Sequence, residues 1–309
     1  MRLPLSKIAW LALSAATLRA DTFYLTIAGL GGEPEYEQRF TGWAKEVDKL
    51  LRAEPGAKVE TLQGADATKA NIEAKLRDIA KQAKADDALV LMLIGHGSYD
   101  ETDYKFNIPG PDLSATELAG LLDKIPARQL IVNMTSASGG SIVALQKPKR
   151  VVVSSTKSGT EKNATVFARY WIEALRDPAA DSDKNEVISA LEAFRYAEEK
   201  TAKFYEEQKR LATEHPLFED LGKGDGVKIA STDTGEGLTA GRFPLLHLGT
   251  AQAAAKDPEK LKLLKHKEEV ENAIDELKYR KASMTLADYR SKLAEFLVDL
   301  AKTQEALDK

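Results

Sequence analysis

The chain reads as an α/β protein, a mostly parallel sheet covered by helices. Three observations predict it. From Asp21 to about Lys209, short apolar runs alternate with longer amphipathic stretches, as strands alternating with covering helices require. Two of the runs, ALVLMLI and QLIVNM, are continuous rather than alternating, the mark of strands buried on both faces. And 309 residues with 43% hydrophobic content are enough to bury a sizeable core.

In chain order, Met1 to Ala20 has Arg2 and Lys7 ahead of the apolar run Ile8 to Leu18, which is signal-peptide length and too short to span a bilayer. Cleavage after Ala20 would remove three positive charges and take the net charge from −4 to −7. A mildly acidic exported chain, periplasmic or secreted, with no transmembrane segment is expected. Strands are then expected at Thr22 to Ala28, Lys58 to Leu62, Ala88 to Ile94, Gln129 to Met134 and Arg150 to Ser154. Helical patterns occupy Glu35 to Leu51, Lys69 to Lys84, Ser114 to Lys124 and Ala164 to Arg176. Ser114 with Glu117 three residues later is a capping box that starts the third of these.

The first domain is thus expected over 21–220. Residues 221–257 carry six glycines from Gly222 to Gly241 and read as loops or a linker. Residues 258–309 read as a charged helical hairpin, with Leu263, Val270, Ile274 and Leu277 striping one helix and Leu286, Tyr289, Leu293, Leu297 and Leu300 the other, behind Thr285 as N-cap. Such a hairpin either packs on the sheet or contacts a partner.

Composition excludes several functions. With 44 basic against 48 acidic residues there is no basic excess for phosphates, so nucleic acid is not the expected partner. Cysteine is absent, which removes disulfides, zinc–thiolate sites, iron–sulfur clusters and any thiol nucleophile. The Gly29-Leu30-Gly31-Gly32 turn fails as a dinucleotide fingerprint because Pro34 stands where a third glycine is needed.

Ligands of open α/β sheets bind beyond the carboxyl ends of the strands. There the chain places Gly95-His96-Gly97-Ser98 after one central run and Thr135-Ser136-Ala137-Ser138-Gly139-Gly140 after the other. If the two strands are neighbours, His96 and a hydroxyl share one crevice. His96 lies between glycines, which permit close backbone approach, and its imidazole titrates near neutrality. His215, His247 and His266 lack that setting, and His266, among lysines, reads as solvated.

The stretch from Asp86 to Gly140 resembles the caspase-like and legumain-like cysteine peptidases, in which a strand ends in His-Gly, a helix follows, and the next strand ends in Cys-x-Ser-Gly. Gly95-His96-Gly97 matches the first motif. Ser136-Ala137-Ser138-Gly139 matches the second with serine in the place of cysteine, and Ser154 to Leu175 looks like the family's next strand end, loop and helix. The resemblance covers about Thr22 to Lys209. It implies a caspase-haemoglobinase type of fold, with His96 assisting the nucleophile at Ser136 and the backbone N–H groups of Ser136 and Gly97 holding an oxyanion.

A serine hydroxyl, unlike a thiol with a pKa near ~8.5, needs a well-oriented base to become a nucleophile. The sequence offers His96 no obvious orienting acid beyond Asp100, and the nucleophile elbow of α/β-hydrolases is absent. Two functions follow: a non-catalytic peptidase homologue that binds a peptide or protein ligand without a required cofactor, which is the expectation, and a hydrolase using Ser136 as nucleophile and His96 as base.

A second constellation runs from Asp181 to Glu192. Asp181, Asp183, Asn185, Ser189 and Glu192 occupy positions 1, 3, 5, 9 and 12 of a twelve-residue loop, with the Val187 carbonyl at 7 and apolar Ile188 at 8, the EF-hand arrangement for Ca²⁺. Position 6 is Glu186 where glycine is usual, so Glu186 must accept a left-handed backbone or distort the loop. The same residues also read as a polar turn capping the helix that begins near Val187.

Overall fold

The structure is a computed structural model describing residues 20–309. The leader reading of Met1 to Ala20 lies, apart from Ala20, outside the described residues.

Six strands form the central sheet: β1 (Thr22–Ala28), β2 (Ala57–Leu62), β3 (Ala88–Gly95), β4 (Arg128–Thr135), β5 (Arg150–Ser154) and β6 (Leu217–Glu219). Their order is β6-β5-β4-β3-β1-β2. All pairs are parallel except β6 against β5. The sheet is therefore mostly parallel and helix-covered, as the uninterrupted apolar runs of β3 and β4 require, and every residue of β3 is buried.

Period-two alternation along the strands divides the core into two layers. Val90, Met92 and Ile94 of β3 pack with Phe40, Val47, Phe167, Trp171 and Phe194 on one face, under the helices Pro34–Leu51, Phe167–Ala174 and Ala190–Glu207. Leu89, Leu91 and Leu93 pack on the other face with Ile72, Leu76, Leu118 and Leu122 from the helices Lys69–Gln82 and Ala115–Leu122. The Ser114/Glu117 capping box is formed in both directions.

Two small sheets were not expected. Gly97–Tyr99, Tyr104–Phe106 and Leu113–Ser114 form an antiparallel meander directly after β3, and Val187–Ser189 pairs with Pro244–His247. The second pairing draws residues 221–257 out of a purely loop-like state. This stretch also carries short helices at Leu238–Gly241 and Gly249–Ala254, and Phe243, Leu245 and Leu246 are buried in the main core. Its glycines serve the turns: Gly222, Gly224, Gly226, Gly235 and Gly237 all take positive φ.

The hairpin consists of Pro258–Tyr279 and Leu286–Leu307. Leu264, not Leu263, joins Val270, Ile274 and Leu277 as the buried stripe of the first helix. The stripe on the second helix stays largely open, with Leu286 56% and Leu297 50% exposed. Among the described residues no helix is long and apolar enough to cross a membrane.

Candidate functional site

In the parallel pairing of β3 with β4, Gly95 lies opposite Thr135. The two strands end level, and His96 and Ser136 are the next residues of adjacent strand ends. Glycine is demanded at 97: a Cβ there would fall 2.4 Å from a Tyr104 ring carbon and 2.6 Å from the Ser136 carbonyl oxygen. Gly31 is equally constrained, since a Cβ would sit 2.2 Å from the Glu37 nitrogen. The turn after β1 thus serves close packing on the Pro34–Leu51 helix, and the Gly31 N–H donates to the Glu37 carboxylate at 2.9 Å.

The His96 imidazole is half-buried between two rings, edge-on to Tyr36 at 4.8 Å and to Phe40 at 5.1 Å between centroids. Burial holds it below its ordinary pKa, against the opposing pull of a hydrogen bond with the Gly31 backbone and the charge of Glu33, so the ring is neutral near pH 7. Asp100 does not orient it. That carboxylate accepts from Lys105 Nζ at 2.8 Å and from the N–H groups of Thr102 and Asp103, which keep it well below the usual carboxylate range.

Ser136 is 2% exposed. Its hydroxyl donates to the Gly97 carbonyl and accepts from the Gly97 N–H, both at 3.1 Å. Ala137, buried beside it, is left-handed at φ 58°, a conformation costly for a residue with a Cβ and typical of functional turns. Its N–H donates to the Glu161 carbonyl.

Below the pair lies a neutral network that sequence reasoning missed. Tyr104 OH meets Thr135 Oγ1 at 2.6 Å and Asn133 Oδ1 at 3.2 Å, Asn133 Nδ2 donates to Ser141 Oγ, and Ser138 Oγ meets Ser155 and Thr156. Burial pushes the Tyr104 phenol far up, so it stays protonated. Asn133 inside an apolar strand was the available signal, because a buried amide has to be hydrogen-bonded. Glu161 is a second omission: its carboxylate accepts from the Lys157 and His215 N–H groups and meets the His215 ring.

The loop from Asp181 to Glu192 sits elsewhere. Oxygens of Asp181, Asp183 and Glu192 all lie within 4.8 Å of one another. Asn185 and Ser189 adjoin these three: the Asn185 N–H donates to the Asp181 and Asp183 carboxylates, and the Ser189 hydroxyl donates to Glu192. Asn185 Oδ1 accepts from the Val187 N–H, and Ser189 makes a capping box with Glu192. Glu186 takes the left-handed backbone at φ 66°, and its carboxylate accepts from the Ala251 N–H at 2.8 Å, capping the Gly249–Ala254 helix. Desolvation, with the charges of Glu192 and Asp181, pushes Asp183 up to about 6. Three clustered carboxylate oxygens fit a hard divalent cation, although one Glu192 oxygen now accepts from the N–H and hydroxyl of Ser182.

Comparison with protein-family models and with curated proteins gives no match. Among solved structures the chain is similar to the Drosophila initiator caspase Dronc (12% identity, 66% of this chain and 80% of that one, TM-score 0.45). It is also similar to caspase-1 from Spodoptera frugiperda (13%, 65% and 87%, TM-score 0.46) and to a protein from Geobacter sulfurreducens (14%, 67% and 94%, TM-score 0.44).

Proposed function

We propose that this chain is a caspase-type peptidase homologue that binds a peptide or protein segment at the β3–β4 crevice without cleaving it. The observation that carries this reading is the Ser136 hydroxyl closed onto both polar groups of Gly97. A nucleophilic serine must give its proton to a base, and this one gives it to a carbonyl, while its oxygen occupies the N–H that the family resemblance assigns to an oxyanion. Among the described residues no hydrogen bond links it to His96.

The test is a cleavage assay against a mixed peptide library with the chain as given, Ser136→Cys, Ser136→Cys with His96→Ala, and, should the chain as given cleave, His96→Ala alone. Silence from the first, cleavage by the second and its loss in the third are expected. Cleavage by the serine form that His96→Ala abolishes would establish the hydrolase reading instead.

We further propose Ca²⁺ at Asp181, Asp183 and Glu192, in a stabilising role, on the strength of the converging carboxylates. Export is proposed on the leader sequence alone. The amino-terminal sequence of the chain recovered from the periplasm or medium tests it, Asp21 being the expected first residue.

A further inference from the structure

The two edges of the main sheet are not alike. Along β6 the chain folds back, and the Phe218 and Val227 backbones exchange two hydrogen bonds, at 2.9 and 2.8 Å. Among the described residues β2, at the other edge, pairs with no strand but β1. Which of its backbone groups stay open follows from β1, flanked at odd positions by Asp21 and Gly29. The Asp21 carbonyl accepts from the Ala88 N–H and the Gly29 N–H donates to the Ile94 carbonyl, so odd-numbered residues of β1 face β3 and even ones face β2. With Thr22 opposite Ala57 and Tyr24 opposite Val59, the parallel ladder takes up Lys58 and Glu60 and leaves Ala57, Val59 and Thr61 pointing outwards. Those outward groups are thinly engaged: the Ala57 N–H reaches the Glu54 carbonyl at 3.3 Å, and the Val59 carbonyl accepts from Arg52 at 3.4 Å.

Such a row is a template for a further strand. It is also accessible, because an open groove flanks the strand on each face, one of about 280 Å³ beside Lys75 and Asp78 and one of about 310 Å³ beside Asp48 and Arg52. Charges on an edge ordinarily keep copies apart. Here the edge carries both signs, exposed Lys58 and exposed Glu60 on one face. An antiparallel second copy must match outward residues with outward residues, which permits, near the middle of the strand, a two-fold axis at Lys58, Val59 or Glu60. The first sets Lys58 against Lys58 and the third Glu60 against Glu60. The axis at Val59 sets Lys58 against Glu60 on both sides, with Val59 paired to Val59 and Ala57 to Thr61. Within the chain Lys58 pairs with Asp21 and Glu60 with Lys75, both at 2.7 Å. These pairs are exposed and worth little, and they neither block the approach nor select it.

We propose that β2 pairs antiparallel with the β2 of a second copy of this chain, about a two-fold axis at Val59, joining the two main sheets into one. The strand itself chooses the occupant: in that register its outward backbone groups and its two charges are complementary to themselves. The outward N–H and carbonyl groups of Val59 and Thr61 then gain strand partners. The contact lies beyond β1 from the crevice at Ser136, and it does not rest on what that crevice binds.

The test is sedimentation velocity of the full chain at low salt, where screening is weakest, over concentrations up to about 0.1 mM. A concentration-dependent dimer is expected. Lys58→Glu and Glu60→Lys should each weaken it by about tenfold or more, since each sets like charges opposite one another. An equimolar mixture of the two variants should restore it to within about threefold, because every cross-strand pair then carries opposite signs. Val59→Pro removes a donor that points away from the sheet and should abolish the dimer. Circular dichroism checks each variant, and if Val59→Pro unfolds the mixture carries the test, since rescue needs folded chains. A chain monomeric throughout would overturn the proposal and leave the edge to an extended segment of another protein. So would a dimer indifferent to either charge reversal or to a folded Val59→Pro, or a mixture no better than its components.

Discussion

The Ser136 hydroxyl and the Gly97 backbone exchange two hydrogen bonds of 3.1 Å, joining the turn after β4 to the turn after β3. In a buried setting such an exchange is structural before it is chemical. Ser136→Ala would leave the Gly97 N–H without its acceptor, and an orphaned buried group costs about 1–3 kcal/mol. Urea denaturation should show a loss of that size. A Ser136→Ala chain as stable as the original would mean that the hydroxyl is free for other work, which favours the hydrolase.

His247 ties three parts of the molecule together. Its ring lies between Glu54, which follows the Pro34–Leu51 helix, and Glu268 of the hairpin. Burial opposes its charge, but the two carboxylates outweigh burial and push it up to about 9 from 6.5. The folded chain thus holds a proton that the unfolded chain gives up, so this contribution is fully present below pH 6.5 and is lost as pH rises through 9. It is on the order of 3 kcal/mol. Melting temperature should fall between pH 7 and 10, and His247→Gln should flatten that slope. An unchanged slope would locate the dependence in other groups.

Asp183 runs the opposite way from an ordinary surface carboxylate. Raised to about 6, it binds a proton in the folded chain that the unfolded chain has released, so its ionisation costs stability as pH rises from about 4 to 6. Without metal, Asp183→Asn should raise the melting temperature at pH 7. If Ca²⁺ binds, the ion should raise that of the original chain, by about 2.7 kcal/mol of stability at a hundredfold excess over Kd, and EDTA should reverse it. The gain should vanish in Asp183→Asn. Identical melting with Ca²⁺ and EDTA would dismiss the ion and leave the capping role of Glu192.

The sheet was legible because burial on both faces writes a continuous apolar run that no amphipathic helix shares, and β3 and β4 differ from the expected ranges only by a residue or two at their ends. The adjacency of the two strand ends that precede His96 and Ser136 followed from those runs. Short elements were not legible. Val187–Ser189 and Pro244–His247 are three and four residues long, and each exists only by pairing with the other across more than fifty residues. His247 was passed over for the same reason: its two carboxylates come from distant segments, and nothing adjacent in sequence announces them. The hairpin stripes were read correctly as helical, but periodicity does not say whether a stripe is covered, and the second one is half open.

Glu186 explains why position 6 of the loop is not glycine. At φ 66° it carries the cost of a left-handed backbone, and its carboxylate offsets that cost by accepting the Ala251 N–H, while its carbonyl accepts from Leu248. Two substitutions separate these effects. Glu186→Gly loses the cap, worth about 1 kcal/mol, but sheds the left-handed penalty. Glu186→Ala loses the same cap and keeps the penalty, so it should be the less stable of the two by about 1 kcal/mol. The ordering is read from denaturation midpoints of the two variants side by side. If alanine were equal to or better than glycine, the backbone at 186 would not be left-handed in solution, and the convergence of Asp181, Asp183 and Glu192 that depends on this turn would lose its basis.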